Sequence, residues 1–293
     1  MVDSFLKYLQ YQKRYSPKTI QSYRTDLSQF EAFLNKEFDG TPPQEANYGL
    51  IRSWIVNLVE QKLDALSVNR KIACLRSYYK YLLREELISL DPMSKIKILK
   101  TKKKLPHFIN EQETITLLDN QKVDQDYEVL RDKVVLELLY GTGIRLAELI
   151  TLKDQHINLK ERTLKVLGKR NKERVIPFPV QLVSIIKDYR KVRDREIEKK
   201  DHGCLLVTQT GDALYPMLVN RIVKKHLNRF TMVEKKSPHV LRHTYATHLL
   251  NKGAEINAVK DLLGHSSLAA TQVYTHNSME KLKKVFDQAH PKA

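Results

Sequence analysis

Cysteine is scarce in this chain, and no long apolar run is present. The only two cysteines in 293 residues, Cys74 and Cys204, lie far apart. They make neither a disulfide framework nor a pair at metal-ligand spacing, so both are expected as packing residues in a reduced compartment. No stretch approaches the roughly 20 apolar residues that a membrane span requires. The opening residues, MVDSFLKYLQYQKRY, mix acidic and polar side chains with apolar ones, and no small-residue cleavage site follows. A secretory leader is therefore not expected, and a cytoplasmic location is. The sequence also lacks a GxSxG elbow, a phosphate-binding P-loop, a zinc spacing, an internal repeat and any low-complexity tract.

Acidic residues are the scarcer charge. There are 51 Lys and Arg against 34 Asp and Glu, for a net charge of +17. The excess runs along the whole chain: residues 1–100 hold 16 basic and 11 acidic residues, and residues 101–293 hold 35 and 23. Such a surface attracts polyanions, of which nucleic acid is the commonest. The length favours two domains, and 42% apolar content suffices for a core in each.

Residues 1–90 read as short helices. Ser16-Pro17 supplies an N-cap and first-turn proline for a helix through Leu34. Leu50 to Leu58 resumes the helical period after Thr41-Pro42-Pro43, and Ser67 is expected to cap a third stretch, Val68 to Leu83. That stretch carries Arg70, Lys71, Arg76, Lys80 and Arg84, a solvated row or a phosphate-facing surface. Asp91-Pro92 ends the unit, and the lysine-rich run to Pro106 is the linker candidate. Beyond it, Arg131 to Tyr140 reads as an apolar helix stopped by Gly141-Thr142-Gly143, with another helix beginning near Ile144. Thr163 to Pro179 reads as a hairpin around Gly168-Lys169-Arg170-Asn171-Lys172. A charged helix from Val180, a short strand at Cys204 to Val207 and further helices broken at Gly253 and Gly264 complete the chain.

Four places carry possible chemistry. In Ser237-Pro238-His239-Val240-Leu241-Arg242, the helix start puts His239 in the first turn with Arg242 at i+3. Backbone N–H groups, an imidazole and a guanidinium could converge there on one phosphate. From these residues alone a packed histidine and a surface arginine is the first reading. Arg145 follows the glycine turn with Glu148 at i+3, either an ordinary intrahelical pair or a guanidinium oriented with donors to spare. Lys169 could deliver a proton from the hairpin tip, its acidity raised by Arg170, Lys172 and Arg174. For those three neighbours simple phosphate contact is expected. Gly264 reads as a helix C′ residue that throws out His265, and the next segment carries Tyr274, one of 14 tyrosines. His239, His243 and His248 lack a carboxylate or cysteine at ligand spacing, so no metal site is expected.

The ordered set Arg145, Lys169, His239-x-x-Arg242, His265, Tyr274 resembles that of the tyrosine recombinase (integrase) family, its bacterial Xer-type members most of all. GTGIRLAEL, LGKRNKERVIP, SPHVLRHTYATHLL and VKDLLGHSSLAATQVYTH carry the likeness. In the N-terminal half YSPKTIQSYRTDLSQFEAFL and VNRKIACLRSYYKYLL do so. Arg170 is a departure, since relatives often have glycine there. The resemblance implies a mainly α protein. Residues 1–95 would form a SAM-like helical core-binding domain, 96–106 a basic linker, and 107–293 an α+β catalytic domain with a small antiparallel sheet.

The resemblance further implies that Tyr274 attacks a DNA phosphate to give a 3′-phosphotyrosyl bond. Arg145, Arg242 and His265 would hold the phosphate oxygens, His239 would accept the tyrosine proton and Lys169 would protonate the 5′-oxygen. Glu148 would support the arginines, with no cofactor and no metal required. Implied partners are a duplex recombination site, a homo- or hetero-tetramer of recombinase protomers, and for a chromosome-dimer role a second Xer recombinase and a DNA translocase. The amphipathic tail, Met279 to Ala293, would dock on a neighbouring protomer or pack on its own domain. A mobile-element integrase, a DNA-binding accessory factor and a type IB topoisomerase are the alternatives. The full residue set argues against the second and the N-terminal likeness against the third.

Overall fold

The computed structural model describes residues 1–101, 108–119, 126–168, 173–198, 200–264, 283 and 285–291. It divides into two compact units, Met1–Lys104 and Leu105–Ala293.

The first unit is all helical: α1 (Val2–Lys7) continuing through a π-helical turn at Tyr8–Gln12, α2 (Pro17–Glu37), α3 (Tyr48–Glu60) and α4 (Ala65–Arg84). Apolar side chains at helical spacing build its core. Leu27, Phe30 and Leu34 of α2 meet Ile51, Trp54 and Leu58 of α3 and Ile72, Leu75, Tyr79 and Leu82 of α4. The Phe30 and Trp54 rings pack 4.8 Å apart. The first turns are closed by side chains, as orphan N–H groups require. Ser16 accepts from Thr19 N at 3.3 Å and Asn47 from Leu50 N at 3.1 Å. The cap expected at Ser67 falls instead on Asp64, which accepts from Leu66 N at 2.8 Å, and the Ser67 hydroxyl donates back to Asp64. α4 therefore starts three residues earlier than Val68.

The chain after α4 is pinned to it well beyond Pro92. Met93 and Ile96 are buried in the same core. Arg76 donates to Ile96 O at 2.9 Å, and the Asn69 amide bonds both the N–H and the C=O of Leu99 at 2.7 and 2.9 Å. The first part of the stretch read as linker is thus backbone tied to a helix, because one asparagine can satisfy both polar groups of an extended residue.

The second unit comprises α5 (Glu111–Asp119), α6 (Tyr127–Thr142), α7 (Leu146–Ile150), strands β1 (Ile157–Asn158), β2 (Thr163–Leu167) and β3 (Glu173–Pro177), then α8 (Gln181–Glu196), α9 (Pro216–Phe230), α10 (Pro238–Asn251) and α11 (Ile256–Leu263). α6 is its central rod, buried on nearly every side and packed against α8 and α10. The sheet is antiparallel in the order β1-β2-β3, with Leu164 opposite Ile176 and Val166 opposite Arg174. The hairpin read from the sequence is this β2–β3 pair. Strand β1, only two residues long, has too little alternation to be read. Cys204 to Val207 forms no strand, only single bridges from Lys153 to Cys204 and from Val207 to Ala213. In the tail, Phe286 and Ala289 join this chain's own core, and His290 stacks on Phe286 with centroids 4.7 Å apart. Among the described residues no helix is long and apolar enough to cross a membrane.

Candidate active site

Gly143 ends α6 and begins the site. Its φ of +59° is the left-handed region that favours glycine, and a Cβ there would lie 2.5 Å from Tyr245 Cδ1. This turn releases Arg145 to become the N-cap of α7. Arg145 N donates to Glu148 Oε2 at 2.7 Å, and Arg145 Nη1 donates to Glu148 Oε1 at 2.9 Å. One carboxylate therefore fixes both the backbone and the side chain of the arginine.

Glu148 also accepts a bidentate pair from Arg174 on β3, Nη1 to Oε1 at 2.7 Å and Nη2 to Oε2 at 2.8 Å. Both side chains are only 5% exposed. Burial alone would raise the pKa of Glu148. The bonds from Arg174 and Arg145 outweigh it and hold the carboxyl below its ordinary range.

The end of α11 completes the arrangement. Gly264 caps the helix at φ +64°, and the last carbonyls of a helix have no partner within it. Here three consecutive carbonyls each accept from a different arginine. Leu262 O takes Arg174 Nε at 3.2 Å, Leu263 O takes Arg242 Nη2 at 2.6 Å, and Gly264 O takes Arg145 Nη2 at 2.9 Å. Arg242 also donates through Nη1 to Gly143 O. Cations at a helix C-terminus are favoured by its dipole.

Among the described residues the cluster is short of negative charge. Arg242, 6% exposed, is pushed down to about 10, first by burial and then by the Arg145 and Arg174 cations, with Glu148 opposing. By the usual conversion that is on the order of 3 kcal/mol against its charge. The guanidinium is still charged at neutral pH, and an anion seated beside it would relieve the penalty. Arg145, whose side chain is 29% exposed, keeps the cluster in contact with solvent.

His239 lies in the first turn of α10 as expected and is exposed. His243, one turn on, is half-buried, and burial followed by the neighbouring His239 lowers its pKa. His248 has a structural role. Its Nε2 faces the Ile109 carbonyl at 2.9 Å and so carries the proton, which leaves Nδ1 to accept from Tyr140 Oη at 3.0 Å. Lys169, Arg170, Lys172, His265 and Tyr274 lie outside the described residues.

The basic residues expected to face phosphate are placed differently from one another. Arg174 is buried and committed to Glu148 and the α11 end, not displayed on the hairpin. The signal was present in β3, where Arg174 shares a face with the buried Ile176 at strand period two. In the first unit Lys71 is buried, its Nζ 2.8 Å from Asp26 Oδ1, and Arg70 clasps the same carboxylate while remaining exposed. Arg76 is half-buried against Ile96, and Lys80 is exposed.

The sequence pattern of the phage integrase family matches residues 107–281, and that of the phage integrase N-terminal SAM-like domain matches residues 2–86. The tyrosine recombinase XerC of Listeria monocytogenes serotype 4a (strain HCC23) is 38% identical over 291 residues, covering 99% of this chain and 97% of that one. A crystal structure of XerH site-specific recombinase bound to palindromic difH substrate, a post-cleavage complex, has a TM-score of 0.74 at 21% identity. It covers 97% of this chain and 83% of that one. A lambda integrase tetramer bound to a Holliday junction has a TM-score of 0.69 at 16% identity, covering 92% and 74%. These two likenesses are of fold. With the family pattern spanning more than half of the chain and a relative matched along nearly all of both sequences, the chain belongs to the phage integrase family and is a Xer-type tyrosine recombinase, an enzyme of site-specific DNA strand transfer.

Proposed function

We propose that this enzyme opens duplex DNA by attack of the Tyr274 phenol oxygen on the scissile phosphate. The new phosphotyrosyl bond forms as the bond to the 5′-oxygen breaks. His239 accepts the phenol proton and Lys169 protonates the departing 5′-oxygen. Arg145 and Arg242 bind the non-bridging oxygens, where negative charge grows, and His265 adds a donor. A 5′-hydroxyl from a partner strand reverses the step: its oxygen attacks phosphorus, its proton passes to the now neutral Lys169, and His239 returns a proton to the phenol oxygen as the phosphotyrosyl bond breaks.

The observation that carries this reading is the pair Arg145 and Arg242. They are held on adjacent carbonyls, Gly264 and Leu263, immediately before His265, in a cluster with excess positive charge. The first unit would serve as the core-binding domain, with Lys80, Arg70 and Arg76 toward phosphates and residues 96–106 spanning to the catalytic domain at 107–293. Lys172 and Arg170 would contact DNA from the hairpin. Protomers would assemble as a tetramer on synapsed DNA in the cytoplasm, by analogy with the tetrameric and DNA-bound recombinases of the same fold. The full-length likeness to XerC favours resolution of chromosome dimers over mobile-element integration, with a second Xer recombinase and a DNA translocase as partners.

The test is covalent trapping on a nicked suicide duplex. Tyr274→Phe should form no adduct while binding the duplex within about threefold of the parent. An adduct formed by that variant would overturn the assignment of the nucleophile.

A further inference from the structure

We propose that Arg174 is a positioning residue for strand cleavage, setting the separation of Arg145 and Arg242 from beneath the site. This rests on the reading of those two arginines as the phosphate clamp.

Arg174 reaches both halves of the clamp without being part of it. Its two terminal nitrogens hold Glu148 in a planar fork, and Glu148 in turn holds the backbone and side chain of Arg145. Its Nε holds the Leu262 carbonyl, one residue before the carbonyl that receives Arg242. It is also the floor under the α11 cap: a Cβ on Gly264 would come within 3.0 Å of Arg174 Nη1 and 3.1 Å of its Cδ and Cζ. β3 fixes where the guanidinium starts, because Arg174 pairs with the buried Val166 across the sheet. A side chain that is 5% exposed on a packed strand has little freedom to meet DNA. A rigid fork joining two elements is a task for arginine, since lysine offers a point charge without the planar pair of donors.

A shift of the clamp by about 1 Å can cost on the order of 10²-fold in rate. The readout must separate misplacement from loss of fold. A methylphosphonate at the scissile position replaces one charged oxygen by methyl and needs the clamp less, whereas partial unfolding lowers the active fraction on both substrates equally. The experiment is single-turnover adduct formation by the full-length protein on nicked duplexes. These carry the site recovered by sequencing the parent enzyme's own adducts, with phosphate or methylphosphonate at the scissile position.

Arg174→Met should lose about 10²-fold on phosphate but under about tenfold on methylphosphonate. Arg174→Lys, which keeps the charge, should still lose at least about tenfold on phosphate. Equal losses on the two substrates, or a lysine variant as fast as the parent, would overturn the proposal. Arg145→Ala on the same duplexes separates the two ideas. If it cleaves phosphate normally, the clamp reading itself falls. If it loses phosphate cleavage selectively while Arg174→Met does not, only the positioning role falls.

Discussion

Replacing Glu148 by glutamine removes one charge and almost no volume, and its consequences can be worked from the cluster. The carboxylate accepts four N–H bonds, two from Arg174 at 2.7 and 2.8 Å and two from Arg145 at 2.7 and 2.9 Å. A glutamine amide offers one acceptor oxygen and turns donors toward a guanidinium that has only donors. Among the described residues three arginines would then share the site with no anion, where Arg242 is already pushed down to about 10. Breaking a buried ion pair by removing one member costs about 3–5 kcal/mol. In urea, with a slope of about 3 kcal/mol per molar, the second unit should lose a molar or more of midpoint. Circular dichroism reads that loss. Fluorescence of the single tryptophan, Trp54, lies in the other core and should keep its midpoint. The pH dependence has a definite sign. The folded state holds the Glu148 carboxyl below its ordinary value of 4.5, so it binds fewer protons there than the unfolded chain does. Its stabilising contribution is complete above that value and is lost as pH falls through the folded one. The gap between parent and variant should therefore be constant near neutrality and close in acid. A gap below about 1 kcal/mol at pH 7, or one that widens in acid, would refute the account.

Two further substitutions test the frame around this cluster. Gly143→Ala forces a side chain to φ +59° and against the Tyr245 ring, and should cost about 2–4 kcal/mol in the second unit by thermal melting. A neutral result would mean that α10 can move away from the turn. In the first unit, Asp26→Asn strips the buried Lys71 ammonium of its carboxylate and should cost about 3–5 kcal/mol, read directly by Trp54 fluorescence. A shift below about 1 kcal/mol would show that the ammonium reaches water.

Local chemistry made much of the fold legible. Ser16-Pro17 and the glycines at 143 and 264 punctuate helices because each satisfies a backbone requirement that neighbouring residues cannot. The β2–β3 hairpin shows in its alternation. What could not be read depended on partners distant in sequence. Ser67 and Asp64 are both good caps three residues apart, and in the structure Asp64 takes the cap while Ser67 donates to it. Leu99 looks like linker until Asn69, thirty residues earlier, is found holding it. The same limit applied to charge. Arg70 and Lys71 are adjacent basic residues, yet one stays exposed and the other is buried, because Asp26 on another helix receives both. Arg174 neighbours the hairpin lysines in sequence, yet its strand parity with Ile176 turns it inward.

The cluster also shows how a protein can hold cations in place without neutralising them. Had each arginine its own carboxylate, the guanidiniums would be well ordered but electrically satisfied, and a phosphate would have to displace an ion pair to enter. Instead one carboxylate is shared by Arg145 and Arg174, and the remaining fixed contacts are carbonyls: Gly143, Leu262, Leu263 and Gly264. A carbonyl orients a guanidinium through its dipole while leaving the full positive charge in place. Three of these carbonyls end α11, where the helix contributes about half a negative charge in total, enough to gather cations but not to cancel them. Among the described residues three guanidiniums and one carboxylate leave two positive charges in excess, and the depressed Arg242 is the cost, first of burying a guanidinium and then of keeping it beside Arg145 and Arg174. That cost falls when an anion arrives and falls further as the anion gains charge. In the clamp as proposed, an arrangement strained in this way would stabilise a transition state more than a ground state, which is the condition for accelerating a reaction and not merely binding its substrate.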